Sequence, residues 1–273
     1  MNDSRDALRF KNNDDTGEEP RNVSSDGGAI PQAAMYRRSL STRWRSWMSE
    51  RLSVVPYSVL GTALSAQSGG FSVVEQAGLS PTSDIVIVDP AGLPYVSGAR
   101  PPARAGAASG SIYDFLGIRD APRFPDEVSS AITAPGLAKL HAYGDGDEER
   151  RCIHVVGIDF RERADLDAAG ALSALAETYA NVLREAAFSA APIATLRLLP
   201  ISGGVFAARW ASEIHHLTFA ALFSAFEDRL SSSERAALVS NVGQVHMCIF
   251  LQKEVGLFER ALAWRAPPSR GPQ

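Results

Sequence analysis

The chain has 273 residues, 45% of them hydrophobic and 21% charged, with a net charge of -4 at pH 7. That length holds one large domain or two small ones. The mild charge supplies neither the basic excess of a nucleic-acid binder nor the acidic block of a solvating tail. No apolar run reaches the ~20 residues that a membrane span needs, and the opening residues, MNDSRDALRFKNNDDTGEEP, are too polar and acidic for a cleavable signal. The reading is a soluble, intracellular protein with no membrane partner, cytoplasmic or nuclear, a mitochondrial destination staying open. Cys152 and Cys248 each sit inside an apolar run, which suits buried free thiols in a reducing compartment better than a disulfide.

Residues 1–33 are rich in Asn, Asp, Ser, Gly and Glu and are expected to be disordered. Residues 34–60 form an Arg/Trp-rich segment in which Trp44, Trp47, Met48, Leu52 and Val55 fall at helical spacings. It reads as an amphipathic helix that packs on a domain, with protein-partner binding or targeting as alternatives. The domain itself is expected over 61–265, followed by a disordered tail at 266–273. FSVVE (71–75) and DIVIV (84–88) read as strands, and the pattern through Ile112, Tyr113, Phe115 and Leu116 as a helix. CIHVVGI, from Cys152, is a strand; Leu172, Leu175, Tyr179, Val182, Leu183 and Ala186 mark one face of a long helix. ATLRLL, a helix through Ile214, Leu217, Ala221 and Ala225, the strand VHMCIFL (245–251) and a helix through Val255, Phe258, Ala261 and Leu262 complete the chain. Short apolar strands alternating with helices predict a largely parallel sheet covered on both faces, with ligands at the carboxyl ends of its strands.

One junction of that kind is chemically suggestive. LRLLPISGGVF runs from a buried strand into Ser202, Gly203 and Gly204 and then into a helical pattern. A glycine turn there exposes backbone N–H groups and admits close approach, which suits an anion. Ser202 adds a hydroxyl, and Val205 and Phe206 could flank a sugar. Ordinary turn chemistry is the competing reading. His215 and His216 are adjacent and point about 100° apart on a helix, so they cannot share a metal. His154 and His246 lie inside strands, where a satisfied, half-buried imidazole is expected. No zinc spacing, Walker loop, G-x-S-x-G or G-x-G-x-x-G occurs in the chain. No metal, cofactor or catalytic residue is expected.

PISGGVFAARWASEIHHLTFAAL resembles the diphosphate loop and following helix of macrodomains, the ADP-ribose-binding module family, and RCIHVVGIDF, ALSALAETYANVLREAA and VHMCIFLQKEVGLFERAL resemble three further stretches of that family. The resemblance runs from about Phe71 to Leu262. It implies an α/β class, a three-layer α/β/α fold with a mixed, mostly parallel central sheet. It also implies ADP-ribose or a related diphosphate nucleotide as ligand, free or on an ADP-ribosylated protein. Ser202, Gly203, Gly204, Val205 and Phe206 then take the loop around the diphosphate and distal ribose. Gly106, Ser109 and Gly110 take the opposing lip, Phe250 the adenine side, and Asp89 a further polar contact.

The family's other polar groups are missing. Ala77, in EQAGLS, stands at the Asp that accepts from the adenine amino group, a loss worth about 1.5–3 kcal/mol. Val88 and Ala91 stand at the two asparagines, and Ser109 where hydrolases often carry Asp. The resemblance therefore implies binding without catalysis. The alternatives are a scaffold that has lost its ligand and assembles through 34–60, and a hydrolase or deacetylase that uses Asp89 or Ser109.

Overall fold

The computed structural model of the chain describes residues 42–67 and 70–265. The disorder expected for 1–33 and for 266–273 lies outside the described residues. Helix α1 (Thr42–Arg51) leads directly into strand β1 (Leu52–Val55), and β2 (Thr62–Gln67) and β3 (Gly70–Glu75) follow. Then come β4 (Ile85–Asp89), α2 (Leu93–Val96), α3 (Ala107–Leu116), α4 (Asp126–Ala131), β5 (Ala138–Tyr143) and β6 (Arg150–Val155). The rest is α5 (Ala168–Ala187), β7 (Ile193–Leu198), α6 (Ile214–Ser224), α7 (Ser232–Asn241), β8 (Val242–Cys248) and α8 (Gln252–Arg265).

Six strands form one sheet in the order β1-β8-β7-β4-β6-β5, parallel throughout except for β5, which runs antiparallel to β6 at the edge. Alternate residues of the strands face opposite layers, and each layer is filled by a different set of helices. Val86, Val88, Ile153, Leu196, Val245 and Met247 pack against α1, α5, α6, α7 and α8. Ile87, Cys152 and Cys248 face α2, α3 and α4. The result is an α/β/α sandwich on a mixed, mostly parallel sheet, as the strand and helix pattern predicts. The local signals are conventional: Asp167 caps α5 by accepting from the Gly170 N–H at 2.7 Å, and Ser231 with Glu234 forms a capping box at α7. Strand β5 and helix α7 have weak apolar periodicity and are not anticipated from the sequence.

The amino-terminal part of the domain differs from the sequence reading in two ways. FSVVE is not a strand of the central sheet. It is β3, paired antiparallel with β2 in a separate two-stranded hairpin, with Phe71 77% and Val73 60% exposed. Alternating β-branched residues suit a hairpin as well as a sheet strand, and only the partner decides between them. The first strand of the sheet is Leu52–Val55 instead, pairing with β8. A boundary at 61 would therefore cut the sheet, and the described part of the Arg/Trp-rich segment belongs to the domain. Trp47 and Met48 are buried in the larger core, and the Trp47 indole stacks on Phe226 with ring centroids 5.3 Å apart.

Arg197 secures the hairpin to the sheet. Its guanidinium, nearly buried, donates from Nη1 to the carbonyls of Val59 (3.1 Å) and Leu79 (2.7 Å) and lies 5.4 Å from the Tyr57 ring. Val59 precedes β2 and Leu79 follows β3, so one side chain ties down both feet of the excursion. Tyr57 completes the contact through its hydroxyl, 2.9 Å from His246 Nδ1. Burial, and secondarily the Arg197 charge, hold the His246 imidazole below its usual range, so it stays neutral near pH 7.

Trp47→Ala should cost about 3–5 kcal/mol, read as a lowered midpoint in urea with far-ultraviolet dichroism as probe. An unchanged midpoint would show that the helix is not part of the cooperative core.

Candidate functional site

The parallel strands β1, β4, β6, β7 and β8 all end at one edge of the sheet, and the loops that follow them carry the predicted residues. After β7 the chain turns at Ser202, whose φ is +60°, and again at Gly204, with φ +56°. The turn is held from beneath by Tyr179 of α5, whose hydroxyl accepts from the Ile201 N–H at 3.0 Å. Gly203 donates to the Pro200 carbonyl at 3.1 Å. Ser202 is 97% buried and its hydroxyl has no partner. It lies against Gly157, the second residue after β6, where a Cβ would come within 2.9 Å of the Ser202 oxygen. A buried hydroxyl left unpaired costs about 1–3 kcal/mol.

The rest of the loop is open. Gly204 and Val205 are exposed, Val205 to 73%. Phe206 is half-buried; its carbonyl accepts from the Phe160 N–H at 3.0 Å, and the Arg161 guanidinium sits 5.0 Å from its ring. The Asp159 carboxylate holds Arg161, accepting from Nε at 2.9 Å, from Nη2 at 2.5 Å and from the Arg161 backbone N–H at 3.0 Å. The loop does not open directly onto a helix, as expected from the sequence. Gly204–Trp210 is a short 3-10 stretch broken at Ala208 (φ 47°, ψ -124°), and α6 begins only at Ile214. The left-handed residues stop helix propagation, so any anion affinity here rests on the loop's own amides and hydroxyl and not on a long helix dipole.

The opposing lip is set by α3. Gly106 is its exposed N-cap residue, and Ser109 lies half-buried in the first turn. Gly110 is buried beneath the lip: a Cβ there would fall 2.7 Å from Arg119 Nη1 and 2.8 Å from the Ala105 carbonyl. Phe250, half-buried, follows β8 at the same sheet edge.

Asp89 corrects the sequence reading. It has no exposed surface and cannot touch a ligand, because both oxygens are already engaged. Oδ1 accepts from Ser109 Oγ at 2.7 Å, and Oδ2 lies 2.8 Å from His154 Nδ1. Asp89 and His154 are register partners on β4 and β6. The other imidazole nitrogen, Nε2, is 2.8 Å from the Tyr143 hydroxyl. With the His154 proton on Nδ1, every group is satisfied: Tyr143 donates to Nε2, Nδ1–H donates to Asp89, and Ser109 donates to Asp89. Burial raises the phenols of Tyr143 and Tyr113 well above their ordinary range, with Asp89 adding to both; they remain neutral donors. Tyr113 is fully buried beside Asp89 and Ser109. Strand positions alone could not reveal this network, because cross-strand register is invisible in one sequence.

The residue after the first sheet strand also changes. Since that strand is Leu52–Val55, the stretch that follows it is Pro56-Tyr57-Ser58, not the stretch containing Ala77, which lies beyond the hairpin. Tyr57 is committed to Arg197 and His246, so no carboxylate stands there.

Both cysteines are buried and free. No group of three His, Cys, Asp or Glu able to hold a metal occurs among the described residues, and no helix among them is long and apolar enough to cross a membrane. A shallow depression of about 350 Å³ lined by Glu127, His141, Glu149 and Arg151 lies at the opposite edge of the sheet, where β6 begins. It contains none of the predicted residues.

No family model and no curated protein matches the chain. Among solved structures, the Oceanobacillus iheyensis macrodomain with ADP is 17% identical, covering 66% of this chain and 83% of that one at a TM-score of 0.45. The same macrodomain with MES bound is 18% identical over 67% of this chain and 85% of that one, with a TM-score of 0.43. An alphavirus P23pro-zbd structure is 18% identical over 69% of this chain at a TM-score of 0.42, and the chain spans only 23% of its length. At these values the likeness carries nothing about ligand or activity; the α/β/α architecture rests on the strand order itself.

Asp89→Ala would strand Ser109 and His154 without their acceptor. A loss of about 1–3 kcal/mol for the stranded, fully buried His154 is expected in urea unfolding, and an unchanged midpoint would contradict the network.

Proposed function

We propose that the edge of the sheet bounded by Ser202–Phe206 and by Gly106–Ser109 binds ADP-ribose or a related diphosphate nucleotide, free or attached to a protein, without turning it over. The observation that carries this reading is the loop itself, bent at Ser202 and Gly204 by two left-handed residues and leaving Gly204 and Val205 exposed. Its open glycine backbone admits a bulky anion, and the sequence of the loop resembles the diphosphate loop of macrodomains.

The residues at and just after the end of β4 support the absence of turnover. Hydrolysis requires a group that fixes a water or a ribose at attack distance. Val88 and Ala91 are fully buried and have no polar side-chain atom, and Asp89 is sealed beneath Ser109 with both oxygens occupied. The scaffold alternative loses part of its support. The described part of the Arg/Trp-rich segment turns Trp47 and Met48 into the core and so offers neither to a partner.

Calorimetric titration of the full chain with ADP-ribose, ADP and AMP tests the reading. Val205→Glu is the variant of choice, because the side chain is 73% exposed and its replacement leaves the core intact. Saturable binding of ADP-ribose and ADP is expected, weakened at least about tenfold in the variant by repulsion between carboxylate and diphosphate. Equal binding by wild type and variant, or no heat from folded wild type, would contradict it.

A further inference from the structure

The β2–β3 hairpin belongs to no larger sheet, and two strands alone are marginally stable in water. Its feet are tied to each other: the Gln76 N–H donates to the Gly61 carbonyl at 3.0 Å, and Gly61 approaches Leu79 too closely to carry a Cβ. Among the described residues, the hydrogen bonds that tie these feet to the sheet are those of Arg197 to Val59 and Leu79. The Arg197 guanidinium is nearly buried, its Nε has no partner, and it forms no ion pair among the described residues. Such a cation is tolerated only while the groups around it are neutral acceptors or an aromatic face.

One of those groups can change its charge. His246 is the register partner of Arg197 on β8, so the two side chains leave the same face of strands about 4.8 Å apart. Tyr57 spans both, its ring 5.4 Å from the guanidinium and its hydroxyl 2.9 Å from His246 Nδ1. Toward β1 the register partner of His246 is Ser53. Along β8 the next group on that face is Cys248, whose thiol burial pushes well above its ordinary range. Arg197 is thus the charge that acts on the imidazole, and no carboxylate balances it.

We propose that His246 is an acid-sensitive latch for the hairpin: its protonation sets a second cation against Arg197, removes the nitrogen that accepts from Tyr57, and frees the segment from Val59 to Leu79 from the sheet. In the closed form, burial and the Arg197 charge hold the imidazole below its ordinary range. Once the latch opens, the ring returns toward about 6.5, so the open form takes up the proton first as pH falls. Closure is complete above that value and weakens below it. A side chain at 246 that cannot be protonated removes the dependence. The latch does not rest on nucleotide binding.

Amide hydrogen exchange on the full chain tests it at about pH 7.5 and about pH 5, either side of the ordinary histidine range, with each rate divided by its intrinsic value. In the wild type, protection over Thr62–Glu75 should fall at least about threefold on acidification, within the roughly thirtyfold that one proton allows over that interval. Amides of β4 and β7 should change less than about twofold. His246→Gln should hold the hairpin within about twofold between the two conditions. Tyr57→Phe, which keeps the ring over Arg197 and loses the hydroxyl, should protect the hairpin less than the wild type already at neutral pH. Hairpin protection that is equal at both pH values in the wild type, or a His246→Gln variant that loses as much as the wild type, overturns the latch. Should His246→Gln not fold, the wild-type ring titration followed by NMR decides: the hairpin amides must shift with the midpoint of His246, and a different midpoint overturns the latch.

Discussion

Asp89 and His154 meet at 2.8 Å across two central strands, and neither exposes any surface. A carboxylate in so dry a place is tolerable only when each oxygen has a donor. That requirement fixes much of the neighbourhood. β4 and β6 must pair in the register that places the two residues side by side, and Tyr143 on the edge strand must reach the far imidazole nitrogen. The first turn of α3 must approach closely enough for Ser109 to donate. The polar line crosses a face of the sheet that is otherwise built from Ile87, Cys152, Cys248 and the helices above them. It therefore ties three strands and one helix together at the end of the sheet where the loops converge.

Seen from that line, the two lips of the site have different origins. The β7 loop takes its shape from backbone conformation, with Ser202 and Gly204 in the left-handed region and Tyr179 bracing the turn from below. The α3 lip takes its character from a side-chain network. The Ser202 hydroxyl is left without a partner, whereas the Ser109 proton is committed to Asp89. This asymmetry also explains why an acidic residue near the site need not imply acid–base chemistry. Asp89 is held by Ser109 on one oxygen and by His154 on the other and is free to act on nothing else.

Much of the architecture was legible in the residues. DIVIV, CIHVV and ATLRLL are short, mostly apolar runs of the kind carried by strands buried on both faces, and the face of α5 from Leu175 to Ala186 shows full helical periodicity. The turn at Ser202–Gly204 was visible because small residues punctuate a strand end. What was hidden depends on partners distant in sequence. FSVVE has the pattern of a sheet strand and becomes a hairpin because TALSAQ lies beside it. LSVV is only four residues long and follows the helix without a break, with Leu52 and Val55 continuing its helical spacing. Asp89 looked like a polar group available to a ligand because nothing in one sequence shows that His154, 65 positions on, stands opposite it. Gly157 and Arg161 shape the loop from a different connection, so no local signal marked them.

The most direct measurement is the pattern of amide chemical-shift changes in a nitrogen-15 spectrum of the full chain during titration with ADP-ribose. The largest changes are expected at Ser202, Gly203, Gly204 and Val205, with a second group at Gly106 to Ser109. Saturable changes confined to the depression around His141 and Arg151, or none at millimolar ligand, would contradict it.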